Sequence, residues 1–198
     1  YGTDGRSDDV VTTFSSRGPT RGSYVDTNGV RHYDNLIKPD IVAPGNRLIG
    51  AQSKNPRNPA LPNIEVQDNP GLDTAQTTDN TAKTMYMSGT SMATPVVAGA
   101  AALLLQANPT LTPNLVKAIL MYSAQPVAGA NSFEQGAGEL NIEGAIRIAK
   151  LVKANPQLLA PGTSLLTGSF PLIQTSLIAG QTVTWSQVHT LTFDGDDI

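Results

Sequence analysis

The stretch of this 198-residue chain best suited to chemistry is Ser88-Gly89-Thr90-Ser91-Met92-Ala93-Thr94-Pro95. It leads into Ala93 to Asn108 (ATPVVAGAAALLLQAN), which is almost wholly apolar and rich in Ala and Leu, and Pro109 follows it. The pattern predicts a helix, and a helix that is apolar all round is a buried one. Ser91 therefore stands at a helix start, where free N–H groups and the positive end of the dipole favour negative charge. An oxygen nucleophile whose attack creates an oxyanion suits that environment. The same position also suits a plain N-cap, and spacing alone leaves both roles open for Ser91 and Thr90. The G-x-S-x-A spacing departs from the G-x-S-x-G nucleophile elbow, because residue 93 is Ala.

A serine hydroxyl needs a base, and the chain offers two histidines. His32 lies in the turn-rich Gly29-Val30-Arg31-His32-Tyr33 and reads as a surface residue; His189 lies on the polar face of a late strand. Neither has a second ligand at helical or hairpin spacing, so no metal site and no cofactor site is assigned. The chain has no Cys, which excludes disulfides, thiolate zinc sites and cysteine nucleophiles. The net charge is −3, which argues against a nucleic-acid surface spread over the whole chain. The longest uncharged apolar stretch, Val96 to Leu105, is broken by Gly99 and falls short of the roughly 20 residues of a membrane span.

The elements that position Ser91 follow from periodicity and caps. Short β-type runs are expected at 10–14 and 41–43, and a long surface loop from Ala51 to Lys83, where Asn, Pro and Asp accumulate without sustained period. Pro95 is expected within the first turn of the nucleophile helix, where a missing N–H costs least. Thr112-Pro113 opens a second helix reaching about Tyr122, with Leu115, Ile119 and Tyr122 on its inner face. Asn141 caps a third running to about Lys153, with Ala145, Ile148, Ala149 and Val152 inward. Past Pro156, Thr182 to Phe193 places Val183, Trp185, Leu191 and Phe193 on one face at period 2. The organisation read from this is a domain over 1–155, interrupted by the 51–83 loop, and a β-type extension over 156–198.

Ser88 to Pro95, continued by Val-Val-Ala-Gly-Ala-Ala-Ala-Leu-Leu, resembles the nucleophile block of the subtilisin-like serine proteases (subtilases, S8 type). Three further stretches resemble that family in order: Phe14-Ser15-Ser16-Arg17-Gly18-Pro19, Lys38-Pro39-Asp40-Ile41-Val42-Ala43-Pro44-Gly45, and Gly136-Ala137-Gly138-Glu139-Leu140-Asn141. The resemblance covers roughly residues 8 to 153. It implies an α/β fold with a doubly wound parallel sheet and flanking helices, here partial and followed by the β-rich extension. It makes Ser91 the nucleophile, with its own N–H as one oxyanion-hole donor and the Thr90 hydroxyl supporting that hole. Asp40 is read as a structural turn residue.

The family order is Asp, then His, then Ser. Its Asp block, its H-G-T-x-V-A-G block and its oxyanion-hole Asn precede the F-S-S-x-G-P turn, and only thirteen residues precede Phe14 here. The expectation is the C-terminal portion of a catalytic domain whose intact parent is a serine endopeptidase acting on polypeptides, with this chain alone inactive. The opening YGTDG, without initiator Met or signal peptide, reads as a start partway through a longer protein. A non-catalytic scaffold or binding module derived from a subtilase is the alternative, and a hydrolase using His32 as base is a third reading. A truncated sheet implies partnering with an N-terminal fragment, self-association or rearrangement of the open side. Secretion and a structural calcium ion are implied by the resemblance only, with no calcium ligands to name.

Overall fold

The computed structural model describes residues 5–61, 63–76, 82–169 and 173–187. In chain order they form β1 (Ser23–Val25), β2 (Arg31–Tyr33), β3 (Leu48–Ala51), α1 (Ile64–Asp68), β4 (Thr84–Met87), α2 (Thr90–Ala107), α3 (Pro113–Ser123), α4 (Ser132–Gln135), α5 (Ile142–Ala149), β5 (Thr175–Ile178) and β6 (Gln181–Thr184). Two compact units result, one from residues 1–43 with 97–198 and the other from Pro44–Val96.

In the larger unit the caps act as their residue types dictate. Thr112 Oγ1 accepts the Leu115 N–H at 3.3 Å, with Pro113 in the first turn where its missing donor costs nothing. Asn141 Oδ1 accepts the Gly144 N–H at 3.0 Å and starts α5. The expected inner stripe of Ala145, Ile148, Ala149 and Val152 is buried, and α5 packs on α3 through it. The β5–β6 hairpin alternates as its period of 2 predicts: Val183 and Trp185 are buried while Thr182 and Thr184 are exposed. Leu191 and Phe193 lie outside the described residues.

Trp185 fastens that hairpin to the helices. Its indole N–H donates to Ser176 Oγ at 2.9 Å, and Asn141 Nδ2 donates to the same oxygen at 3.0 Å. The Ser176 hydroxyl in turn donates to Glu143 Oε2. The Arg147 guanidinium lies 5.0 Å over the indole and donates to the Thr175 and Ile173 carbonyls at 2.7 and 3.0 Å. Helix α5 and the β5–β6 hairpin with Trp185 thus share one core.

The doubly wound parallel sheet is where expectation and structure differ. Among the described residues all three strand pairs, β1–β2, β3–β4 and β5–β6, are antiparallel hairpins. Parallel pairing survives as a single bridge, Val42 with Glu139, made by Val42 N–H to Gly138 O at 2.9 Å and Leu140 N–H to Val42 O at 2.8 Å. The physical reason is that parallel strands need neighbours brought by crossovers, and among the described residues Val42 has a parallel partner in Glu139 alone. Residues 10–14, expected as a strand, instead turn back, with Ser15 N–H on Thr12 O at 3.1 Å.

Helix α2 also differs from its expected burial. Only Ala100 and Leu104 are buried along it, while Leu103 and Leu105 are 43% and 42% exposed. Its apolar surface runs all round, and the described residues cover one side. At 18 residues and a mean hydropathy of 1.4, α2 is long and apolar enough to cross a membrane by length and composition, a test that core helices of soluble proteins also pass.

In the smaller unit β3 and β4 pair with Leu48 opposite Met87 and Ala51 opposite Thr84. The Ala51–Lys83 segment is therefore the connection of a hairpin. Its Asn residues hold local turns: Asn55 Oδ1 accepts the Arg57 and Asn58 N–H groups, and Asn63 caps α1 by accepting from Glu65 N–H.

Candidate active site

Strand β4 ends at Met87, helix α2 begins at Thr90, and Ser88-Gly89 is the whole joint between them. Gly89 has φ +153°, a conformation open to glycine and rare for side-chain-bearing residues. Its N–H donates to Gly45 O at 2.7 Å, and its own carbonyl accepts the Met92 and Ala93 N–H groups at 3.0 and 3.3 Å. Gly45 has no side chain because the helix start lies against it: a Cβ there would stand 2.9 Å from Gly89 O and 3.1 Å from Ala93 Cβ.

The joint is also held through Ser88. Its Oγ accepts the Arg47 N–H at 2.9 Å and its hydroxyl donates to Asn46 Oδ1 at 2.8 Å. Arg47 itself has φ +54°, and its guanidinium stacks 4.5 Å over Tyr86 of β4. Sequence reasoning passed over Asn46, Arg47 and the separate part played by Ser88. The one available signal was that the Lys38–Gly45 block ends in Pro44-Gly45, a turn signature, just before Asn46.

Ser91 is the second residue of α2 and is exposed, as is Thr90. Among the described residues nothing hydrogen-bonds the Ser91 hydroxyl, and the Thr90 and Ser91 amides have no acceptor. A serine hydroxyl and two unspent N–H donors thus share the positive end of an 18-residue helix. Thr94 Oγ1 returns to the Thr90 carbonyl at 3.0 Å. Pro95 is the sixth helical residue rather than part of the first turn, as the sequence suggested. Having no N–H, it leaves the Ser91 carbonyl without its partner four residues on.

His32 belongs to β2, stacks on Tyr24 with ring centroids 5.0 Å apart, and meets Asp26 Oδ2 through Nε2 at 2.9 Å. That hydrogen bond, with a second from Val30 N–H, holds the Asp26 carboxyl below its ordinary value. His189 lies outside the described residues. Asp40 faces Lys38 Nζ at 2.5 Å and Lys117 Nζ at 2.9 Å. Burial pushes its carboxyl up, but the two lysines outweigh burial and it titrates below the usual range. Among the described residues no three His, Asp or Glu side chains gather at one place.

Gly136 and Gly138 account for the G-x-G element. Their φ values are +61° and +125°, and a side chain at either would collide with backbone, at Pro39 and Asp40 or at Gln125. Glu139 follows them with its backbone bridged to Val42 on one side and Gln125 on the other.

Comparison with known proteins agrees with these motifs. A family model described as "Subtilase family" matches residues 2–138. Serine protease AprX of Bacillus subtilis (strain 168) is 37% identical over 140 residues, covering 70% of this chain and 26% of that protein. Subtilisin-like protease SBT2.4 of Arabidopsis thaliana is 33% identical over 149 residues, covering 67% of this chain and 15% of that protein. Subtilisin-like protease SBT4.13 of the same plant matches at 29% over 195 residues, 94% of this chain and 22% of its own length. The chain thus spans about a quarter or less of these relatives. A solved structure of the patellamide maturation protease PatA is 32% identical over 56% of this chain and 33% of that chain, with a TM-score of 0.36.

Proposed function

Because this chain belongs to the subtilase family, we propose that it is the nucleophile-bearing portion of a serine endopeptidase, with Ser91 attacking the scissile carbonyl of a polypeptide. The observation that carries the reading is the Ser91 hydroxyl beside two unpaired amides at the start of α2. In the reaction the Ser91 oxygen bonds to the carbonyl carbon, the hydroxyl proton passes to a base, and the Ser91 N–H receives the developing oxyanion. The Thr90 hydroxyl supports that hole. Departure of the amine leaves an acyl-enzyme, which water then cleaves.

The base, the acid that orients it and the oxyanion-hole Asn are the family's upstream blocks, and this chain alone is inactive without them. In the intact parent those upstream strands lie beside 41–43 and extend the Val42–Glu139 bridge into the doubly wound parallel sheet. They also cover the open side of α2. The partner of this chain is therefore the N-terminal part of its own catalytic domain or, failing that, a second copy. Secretion is proposed on family membership alone.

A fluorophosphonate probe tests the reading. The full-length protein is expected to label stoichiometrically at Ser91 and to hydrolyse peptides, Ser91→Ala to do neither, and the isolated chain to label no faster than a denatured control. Fast labelling of the isolated chain would refute its inactivity and direct attention to His32. A full-length protein that neither labels nor cleaves would leave the non-catalytic scaffold as the reading.

A further inference from the structure

Resting on the assignment of Ser91 as nucleophile, we propose that Ser88 is a positioning residue for it, and that its hydroxyl sets the joint on which Ser91 is carried. Two residues connect β4 to α2, and Gly89, at φ +153°, has no side chain by which to be held. Ser88 is then the one residue of the joint that can be fixed through a side chain. Its hydroxyl uses both of its capacities on one turn, accepting from Arg47 N–H at 2.9 Å and donating to Asn46 Oδ1 at 2.8 Å.

That turn is fixed in its own right. Gly45 O takes the Gly89 N–H at 2.7 Å, and the Arg47 guanidinium stacks on Tyr86, two residues before Ser88. The bonds close a loop from strand through turn to joint. Ser91 lies three residues further, so a rotation about the joint moves its Oγ directly. Reacting groups tolerate little of this, since a misplacement of 1 Å can cost about 10²-fold in rate. The Ser88 hydroxyl is taken up by Arg47 and Asn46, so it acts through where it holds Ser91.

The test uses the full-length protease with Ser88→Ala, Ser88→Thr and Asn46→Leu, read by peptide hydrolysis and by amide exchange. Ser88→Ala is expected to lower kcat about tenfold with KM within about twofold. Ser88→Thr, which keeps the hydroxyl, should stay within about threefold of the parent in kcat. Exchange of the Gly89 to Met92 amides should rise about tenfold in Ser88→Ala while the β5–β6 amides stay unchanged. Asn46→Leu, which removes the acceptor, should reproduce both effects and carries the test if Ser88→Ala does not fold. A kcat within twofold of the parent, equal damage by Ala and Thr, or unchanged exchange at 89–92 would overturn the proposal. If the parent itself cleaves nothing, the nucleophile assignment falls separately, and the exchange measurement alone decides whether Ser88 holds the joint.

Discussion

Arg6 Nη2 stands 2.8 Å from Glu139 Oε2, yet neither buried atom has an aligned hydrogen bond. Arg6 is committed elsewhere: its Nε donates to Gln125 Oε1 at 2.5 Å and its backbone N–H to Gln181 Oε1 at 3.1 Å. Glu139 is thereby a buried carboxyl with an imperfect counterion and with Asp9 as a second carboxyl beside it. Burial is the main cause that pushes it up to about 7; Asp9 adds to the rise and Arg6 opposes it.

The sign of the resulting pH dependence is fixed by that rise. A folded value of about 7 against 4.5 when unfolded means the folded state holds its proton longer. Its contribution to stability is complete below about pH 4.5 and is lost as pH rises through 7. Asp40, held low by its lysines, acts in the opposite sense and in a more acid window: its contribution is lost as pH falls. Urea midpoints measured from pH 4.5 to 7.5 should fall for the parent chain by an amount equivalent to roughly 2–3 kcal/mol. Glu139→Gln should flatten most of that slope. An unchanged slope in the variant would exclude Glu139 as its source.

The Trp185 indole lies where a Gly144 side chain would be: a Cβ there would come within 2.8 Å of Cε2. Gly144→Ala should therefore destabilise by about 1–3 kcal/mol through overpacking. Trp185→Ala should cost roughly 3–5 kcal/mol, because it empties a fully buried site and frees the Ser176 network. Urea unfolding followed by far-UV dichroism measures both. If Trp185→Ala melted the hairpin alone and left the α3–α5 unfolding midpoint in place, the hairpin would be an appendage rather than part of that core.

Asn141 has two separate duties, capping α5 through Oδ1 and donating to Ser176 through Nδ2. Asn141→Asp keeps the cap and loses the donor, whereas Asn141→Ala loses both. The expected order of stability is parent, Asp, Ala, with Ala lower than the parent by about 2–3 kcal/mol. Thermal or urea unfolding gives the order directly, and equal loss in the two variants would show that the cap contributes nothing.

What could be read in advance was whatever the chain decides locally. Thr112-Pro113 and Asn141 gave their helices because a cap and the turn it closes lie within four residues. Trp185 and Val183 were legible from strict alternation. The strand pair β3–β4 was not, since its two four-residue halves stand on either side of the Asn-rich connection and neither has a pattern of its own. Residues 10–14 have β-branched composition but no partner strand among the described residues, and β propensity means little without one. The clamp at Ser88 joins residues 42 apart, so no local signal points to it. Ser91 could be singled out because its whole block sits in one contiguous motif.

The exposed leucines of α2 separate the stability of this chain from its assembly. Leu103 and Leu105 are 43% and 42% exposed, so Leu103→Ser with Leu105→Ser should change the stability of the isolated chain by little, within about 0.5 kcal/mol. Under the proposed function the same leucines are covered when the N-terminal part of the catalytic domain is present. Burying the part of each that is still exposed is then worth about 0.6–1.3 kcal/mol, and the double variant should weaken association of the two parts by about tenfold or more. Sedimentation of the mixed fragments reads the association, and urea unfolding of the variant alone reads the stability. Association at parental affinity would place the upstream strands on another face, and loss of stability in the isolated chain would mean that α2 is already covered there, by a second copy of the chain.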